Sequence, residues 1–272
     1  MGNLGLIRRL TVSNFDALES LTASIGRMTS LEELTIEGCF GLNNLPASIG
    51  DLPRIHLCFI KDCHNIKRLP DNFCKLANLQ SLDIRHSGIN ALPMAFGELT
   101  KIRSLKLYDL HLKELPFSVG SLASLEDLVL HCMDLEELPA SFGMLTQLKT
   151  IHLCSDALRD LPMSFESLIS LRKLSSQDYG TGEAYRDRVF KTLASVLPCL
   201  FSLRLLYLPS QLDVDNTLVI GRSLKAWFPP LLECTGLNYI NAPTTTGLQI
   251  CWQALGLPPK AATWHDCIIL KY

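Results

Sequence analysis

The sequence lacks the features that mark nucleic-acid-binding and membrane-spanning proteins. Its 272 residues carry a formal net charge of −2 and contain no run of like charge. Binding to nucleic acid or to an anionic membrane surface calls for clustered lysine and arginine, and a membrane-spanning helix needs about 20 consecutive apolar residues. Neither pattern occurs, so we expect no nucleic acid and no membrane among the partners of the chain.

Signals for catalysis and for secretion are also missing. Gly180-Thr181-Gly182 is not followed by the Lys-Ser/Thr of a phosphate-binding loop, and no nucleophile elbow is present. No Asn-x-Ser/Thr glycosylation site occurs, and the ten cysteines are scattered, which favours buried free thiols over a disulfide framework. We therefore expect a cytoplasmic protein that requires no cofactor and no metal.

What the chain does contain is a Leu-Pro pair that recurs at an almost fixed interval. From a degenerate Leu21-Thr22 onward, the spacings are 24, 24, 23, 23, 23 and 23 residues. The six pairs are Leu45-Pro46, Leu69-Pro70, Leu92-Pro93, Leu115-Pro116, Leu138-Pro139 and Leu161-Pro162. A period this constant predicts a stacked solenoid, whose long and shallow surface favours recognition over catalysis.

Apolar residues upstream of each pair predict one short strand per unit. They fall at positions 1, 4 and 6 of units that begin at Ile7, Leu31, Ile55, Leu79, Ile102, Leu125, Leu148 and, more weakly, Leu171. Positions 4 and 6 alternate with neighbours predicted to face the solvent, which is the period of a strand with one buried face. The strands of successive units must then pair in parallel, which gives a ribbon of about eight strands.

Downstream of each pair, a second motif predicts a turn that closes the core. Proline fixes φ where the chain leaves the strand layer. An apolar residue such as Phe96 or Phe142 and the leucine that follows it are expected to fill the core from the convex side. The intervening glycine, such as Gly97, is expected to let the chain bend before the next strand.

Together these residues resemble the leucine-rich repeat of the LxxLxLxxxxLxxLPxxFGxL type, over residues 1 to about 177. The resemblance implies an α/β leucine-rich-repeat solenoid, a right-handed β/α superhelix with a parallel concave β-ribbon and an irregular C-terminal cap. Two longer units with Cys39 and Cys63 at position 9 are similar to repeats of plant intracellular nucleotide-binding disease-resistance proteins. The shorter units are equally similar to plant Ras-group leucine-rich repeats.

The resemblance also implies a hydrogen-bonded ladder of position 9 side chains inside the solenoid. Ser87 and Asp156 have side chains that suit it, whereas Phe15, Leu110 and Met133 do not. We therefore expect an incomplete ladder, whose regularity is broken around Leu110 to Met133.

The regular period ends after Leu174, and residues 178–272 are predicted to form irregular repeats and a C-terminal cap. The strand pattern returns at Leu200, Leu203 and Leu205, and again between Leu232 and Ile240. All three tryptophans, Trp227, Trp252 and Trp264, fall in this part and are expected to seal the open end of the solenoid. At the other end Met1 falls in the middle of a unit, so we expect the chain to be the tail of a longer protein.

Strand positions 5 and 7 are predicted to project from the concave face, where repeat proteins make their contacts. In the middle of the ribbon these positions carry a mixed aromatic and charged stripe. We predict that a protein partner binds at Phe59, Lys61, Asp83, Arg85, Lys106, Tyr108, His131 and His152.

Three functions are compatible with this pattern. The first is a non-catalytic sensing or regulatory domain of an intracellular plant disease-resistance-like protein, with an effector, a host protein or its own upstream domain as the partner. The second is a stand-alone signalling scaffold of the Ras-pathway type. The third is a metal-dependent or cysteine hydrolase, because His131, Cys132, His152 and Cys154 lie on neighbouring predicted strands.

Overall fold

A computed structural model describes residues 4–176, 199–200, 202–203, 205–207, 239–241 and 268–269. Within them, all strands form one sheet in the order of the sequence. The strands are β1 (Arg9–Ser13), β2 (Glu33–Glu37), β3 (Leu57–Lys61), β4 (Ser81–Arg85), β5 (Ser104–Tyr108), β6 (Asp127–His131), β7 (Thr150–Cys154), β8 (Lys173–Ser176), β9 (Leu205–Tyr207), β10 (Tyr239–Asn241) and β11 (Ile268–Ile269).

The predicted parallel ribbon of eight strands is confirmed. Strands β1 to β8 each pair in parallel with the next, and equivalent positions of successive units lie side by side, as in the series Leu34, Cys58, Leu82 and Leu105. Only β11 runs antiparallel to its neighbour β10. This register stacks each strand position into a row across the sheet, and it brings residues 23 or 24 apart in sequence into contact.

Short 3-10 helices form the convex side and follow the Leu-Pro pairs. They span Leu4–Leu6, Ala23–Arg27, Ala47–Asp51, Asp71–Lys75, Phe96–Glu98, Phe117–Ser121, Ala140–Met144 and Met163–Ser167. The proline directly precedes most of these helices in an extended conformation, with φ of −66° at Pro46 and −62° at Pro116. Proline suits this place because its fixed φ matches the turn and its missing N–H is not needed there.

The core between the strands and the 3-10 helices is continuous along the described units. Strand residues at positions 4 and 6 close it from one side, and aromatic residues of the helices close it from the other, as predicted. Phe73, Phe96, Phe142 and Phe165 are fully buried, and the rings of Phe142 and Phe165 stack with their centroids 5.2 Å apart. Each unit thus buries its apolar face against its neighbours.

The glycines of the 3-10 helices have a different role from the predicted bend. A Cβ on Gly97 would lie 1.9 Å from the carbonyl oxygen of Ser118, and one on Gly120 would lie 2.3 Å from that of Ser141. Glycine is therefore required because the helix of the next unit packs directly on it. Where Cys74 occupies this place, the following helix is shorter and begins only at Phe96.

The turn after the strand adopts two forms along the chain. In the first five units the residue at position 8 has a left-handed conformation; these residues are Asn14, Gly38, Asp62, His86 and Asp109, with φ between 47° and 61°. Position 9 is then buried in units 2 to 5, whereas Phe15 of the first unit is exposed. The thiols of Cys39 and Cys63 donate to backbone carbonyls such as those of Glu37 and Lys61, at 3.5 and 3.1 Å, but the buried Oγ of Ser87 has no hydrogen-bond partner among the described residues.

In units 6 and 7 the inward-pointing polar residue is at position 8 instead. Ser155 donates to the carbonyl of Leu135 at 2.7 Å, and the thiol of Cys132 faces that of Leu107 at 3.9 Å. Asp156, the predicted ladder residue, is exposed. The ladder is incomplete around Leu110 to Met133, as expected, because Leu110 has no hydrogen-bonding side chain and the inward-pointing polar residue of the next unit is Cys132 at position 8. Strands β5 and β6 nevertheless pair over their full length.

The C-terminal prediction falls largely outside the described residues, including the three tryptophans and the interval from Glu183 to Leu197. Leu200 and Leu203 are buried, and β9 pairs with β8, so the strand pattern does return. The register differs from the prediction, since Leu206 rather than Leu203 lies beside Leu174. Among the described residues no helix is long and apolar enough to cross a membrane.

Candidate protein-binding site on the concave face

The structure brings all eight predicted site residues together on strands β3 to β7. Two adjacent rows of the concave face carry them. The position 5 row contains Phe59, Asp83, Lys106, Val129 and His152, and the position 7 row contains Lys61, Arg85, Tyr108, His131 and Cys154. The prediction that both rows project freely does not hold for every member, because Asp83 and Cys154 are buried.

At one end of the rows, Phe59 and Lys61 pack on each other. The ammonium group of Lys61 lies 5.4 Å from the centroid of the Phe59 ring, and both side chains are partly buried. A cation over an aromatic face is attracted by the quadrupole of the ring. The lysine thus covers part of an aromatic surface that the sequence suggested would be bare.

In the next two strands, Asp83, Arg85 and Tyr108 form one connected group. The guanidinium of Arg85 donates to both carboxylate oxygens of Asp83, at 2.7 and 2.8 Å, and lies 4.6 Å from the centroid of the Tyr108 ring. Asp83 is only 5% exposed, and its hydrogen bonds raise the pKa of Arg85 above its ordinary value. Asp83 therefore positions Arg85 and is covered by it.

A histidine–carboxylate group borders these residues where the strands end. Asp109 lies between two imidazoles: its carboxylate oxygens are 2.9 Å from Nδ1 of His86 and 2.6 Å from Nδ1 of His131. The ring of His131 is also 6.1 Å from that of Tyr108. Asp109 was absent from the predicted site, although its place at position 8, where side chains tolerant of left-handed backbone recur, was a signal available in the sequence.

An open pocket of about 380 Å³ occupies the concave face from β5 to β8. Lys106, Tyr108, His131, His152 and Cys154 all line it. Further lining comes from Ser104, Asp127, Val129, Leu130, Thr150, Leu153 and Ser175. This volume lies near the lower end of the range for ligand pockets, so the pocket has room for a few side chains of a partner.

Two charged side chains of the pocket, Asp127 and Lys106, differ in whether a described residue binds them. Asp127 accepts a hydrogen bond from the hydroxyl of Thr150. Lys106 makes no hydrogen bond or ion pair with any residue that the structure describes. Its neighbour in the row, Asp83, is held at both oxygens by Arg85. Lys106 is therefore a partly buried cation whose nearest carboxylate is already occupied.

His152 lies at the centre of the same pocket. Burial, followed by the nearby charge of Lys173, lowers its pKa, and Asp127 acts in the opposite direction. Its imidazole is therefore mainly neutral at neutral pH.

The residues of the hydrolase hypothesis are only partly brought together. His131 and Cys154 are partners in the register of β6 and β7, and His152 precedes Cys154 in the same strand. Cys132 lies in the core, where burial raises its pKa to about 12, so it takes no part in the group. In the described part of the chain, no set of three or more His, Cys, Asp or Glu residues has the arrangement of a metal site.

Sequence and structure comparisons agree with this architecture. Residues 95–225 match the family model described as "Leucine-rich repeat region". The fold is a leucine-rich-repeat solenoid. No curated protein sequence matches the chain at a significant level.

Several solved leucine-rich-repeat structures superpose on the chain. The leucine-rich repeat domain of the type III effector XopL is 28% identical with a TM-score of 0.53, over 62% of this chain and 60% of that domain. The chain thus spans less than two thirds of the length of that relative.

Two receptor structures share the fold at lower identity. Toll from Drosophila, in complex with Spätzle, is 20% identical with a TM-score of 0.57, over 74% of this chain and 28% of that one. The ectodomain of the plant receptor kinase GASSHO1/SCHENGEN3 from Arabidopsis thaliana, in complex with CASPARIAN STRIP INTEGRITY FACTOR 2, is 21% identical with a TM-score of 0.52. That match covers 76% of this chain and 25% of the ectodomain.

Proposed function

We propose that the chain is a non-catalytic recognition module that binds a protein partner through the concave face. The observation that carries this proposal is the open pocket, which Tyr108 helps to line, on the same face of the sheet as Phe59 and Arg85. Aromatic residues and arginine are the side chains most often found at the energetic centres of protein interfaces. Toll and GASSHO1/SCHENGEN3, which share the fold, are both described in complex with other proteins.

The more specific proposal is a sensing or regulatory domain of a cytoplasmic, plant disease-resistance-like protein. Its support is the resemblance of the two longer units, whose Cys39 and Cys63 donate to the backbone from position 9. An effector, a host protein or an upstream domain of the same protein then competes for the concave face. Fractionation of the native cell tests the location, and recovery with a membrane or secreted fraction would contradict it.

A Ras-pathway scaffold is the second candidate, favoured by the four consecutive units of 23 residues that begin at Leu79. The two candidates differ in what surrounds the repeats in the native protein. Intact mass and N-terminal sequence of the protein from its own cell distinguish them. A preceding region with a phosphate-binding loop supports the receptor, and a native protein without one supports the scaffold.

The recognition proposal itself is tested by affinity capture from extracts of the native cell. The test variant Phe59→Ser/Lys61→Glu changes the concave face at a pair that packs mainly on itself. The matched control, Arg27→Glu/Lys75→Glu, reverses two exposed charges on the convex 3-10 helices. We expect one or more proteins to bind the wild type and the control but not the concave variant.

Binding of each captured protein is then measured with purified components, and circular dichroism establishes that both variants are folded. A set of captured proteins that is identical for the wild type, the concave variant and the convex control would contradict recognition through this face.

A further inference from the structure

We propose that the pocket between β5 and β8 binds an acidic side chain of an extended peptide segment of the partner, with Lys106 as the group that recognises the carboxylate. This inference rests on the proposed recognition function and names the chemistry of the segment that is recognised.

The cations on the concave face differ in the contacts that they make with other residues. Arg85 is bound to Asp83 and stacked on Tyr108, and Lys61 lies over Phe59. Neither Lys61 nor Lys106 makes an ion pair or hydrogen bond with a described residue, but Lys61 contacts the Phe59 ring, whereas Lys106 has no such contact among the described residues. Because it is partly buried, it has lost part of its hydration without gaining a partner, and a carboxylate would restore a charge-assisted hydrogen bond.

The surface around Lys106 has a shape that suits an acidic side chain. Val129 separates Lys106 from His152 in the same row, so the two polar groups lie two strand spacings, or about 10 Å, apart. Tyr108 and His131 form the adjacent row. An acidic side chain that enters here lays its methylene groups over Val129 and directs its carboxylate to Lys106, while aromatic rings flank it.

The other charged groups of the pocket lining leave the surroundings of Lys106 favourable to an anion. Asp127 is the carboxylate in the pocket, and the Thr150 hydroxyl already donates to it. It lies in the position 3 row, on the side of the pocket away from Tyr108 and His131. Lys173 lies in the same row on β8, beyond Thr150. The rows that hold Lys106 therefore favour an anion, and an apolar or basic side chain leaves this lysine without a partner.

His152 adds a dependence on pH. It faces Asp127 and His131 from β6, Lys173 from β8 and Cys154 on its own strand. Since burial and Lys173 lower its pKa, a carboxylate bound nearby favours the protonated imidazole. Binding of an acidic peptide is then expected to tighten severalfold between about pH 7 and about pH 5.5, before the peptide carboxylate itself is protonated.

The test is selection of a displayed library of random dodecapeptides on the whole chain, followed by affinity measurements on synthetic peptides. We expect the selected peptides to share an Asp or Glu beside an apolar residue. Their affinity should fall about tenfold for Lys106→Ala, further for Lys106→Glu, and little for Lys106→Arg, which keeps the charge. Arg27→Glu/Lys75→Glu is the matched control, because it reverses two exposed charges on the convex 3-10 helices, away from the concave face.

The outcomes separate this inference from the proposed function. Peptides that require Tyr108 and His152 but carry no acidic residue, or that bind Lys106→Ala as well as the wild type, overturn the carboxylate specificity and leave concave recognition standing. If substitutions of Lys106, Tyr108 and His152 leave the affinity of the selected peptides unchanged, or if the selection enriches no peptide, the pocket is not a peptide-binding site. Affinity capture with the concave variant decides the proposed function independently.

Discussion

The two ends of the concave stripe use their charged side chains differently. On β3 to β5, Lys61 covers Phe59, and Arg85 joins Asp83 to Tyr108. On β5 to β8, the side chains surround an open pocket, and Lys106 has no ion-pair partner among the described residues. A charge on a recognition face is therefore available to a partner only when the fold has not already neutralised it.

This difference changes the choice of mutations that test binding. Arg85 has the residue type most expected at an interface, yet its reversal to glutamate would place a carboxylate against Asp83 and disturb the fold. Loss of binding in such a variant would not identify a contact. Substitutions of Lys106 avoid this ambiguity, because Lys106 makes no hydrogen bond or ion pair with a described residue.

The largest expected effect on stability comes from Asp83→Ala. It leaves the guanidinium of Arg85 without its buried partner, and breaking a fully buried ion pair costs about 3–5 kcal/mol. Because the Arg85 side chain is 38% exposed, we expect a smaller loss of about 2 kcal/mol in the free energy of unfolding. Urea denaturation measures it, with Lys106→Ala as the control at under about 0.5 kcal/mol. Equal losses for the two variants would remove the distinction between the two ends.

A smaller effect is expected for the contact that joins the two ends, between Arg85 and Tyr108. A double-mutant cycle with Arg85→Gln and Tyr108→Leu isolates it, because the loss of the Asp83 hydrogen bonds occurs in both arms and cancels. We expect a coupling energy of about 0.5–1 kcal/mol for a cation over a partly exposed ring. Urea denaturation of the four proteins gives the value, and a coupling of zero would show that the two ends are energetically separate.

The smallest effect is a pH dependence that belongs to the pocket alone. The pKa of His152 is lowered in the folded protein by burial and by Lys173, so the folded state binds fewer protons than the unfolded state. The stability from this residue is complete above the unfolded pKa of about 6.5 and is lost as pH falls below it toward the folded pKa. Urea denaturation across this range should show a steeper loss for the wild type than for His152→Gln. Parallel curves would contradict burial of this imidazole.

The solenoid itself was predictable from the sequence because burial repeats with the chain. Positions 4 and 6 of the units carry mostly leucine and isoleucine, which face the core, and the observed strands cover these positions in all eight units. The convex side was predictable for the same reason, since Phe96 and Phe142 fill the space opposite the strands. The role of Gly97 was not, because the close approach of the next helix is visible only once the units are stacked.

The form of the turn after each strand could not be predicted from the repeat period alone, because it depends on the backbone conformation at position 8. Position 9 forms the ladder at Cys39 and Cys63, each of which follows a left-handed residue at position 8. A left-handed position 8 is not sufficient, because Phe15 is exposed and the buried Oγ of Ser87 has no hydrogen-bond partner among the described residues. At Ser155, position 8 is not left-handed and itself points inward. The residue types at position 8 carry the distinction, since Asn, Gly and Asp tolerate positive φ far better than most side chains.

The site was predictable as a set of rows but not as a set of contacts. Alternation along each strand placed Phe59, Asp83 and Lys106 on one face, and the parallel register placed them side by side. Which cation binds Asp83 depends on side-chain conformation: Arg85, two residues along the same strand, takes it, and Lys106, directly across, does not. No sequence pattern predicts which cation binds Asp83, and none predicts the pocket that Lys106 lines.

The step-by-step register of the strands also bears on how such a surface changes during evolution. Side chains that meet on the face are encoded 23 or 24 residues apart, as with Lys61, Arg85 and Tyr108. Gain or loss of one whole unit shifts the later strands by a single strand spacing of about 4.8 Å and keeps every buried residue buried. A one-residue insertion within a strand instead turns its core side chains to the solvent. The recognition surface can therefore lengthen or change its combination of neighbours by duplication of units far more readily than by small insertions.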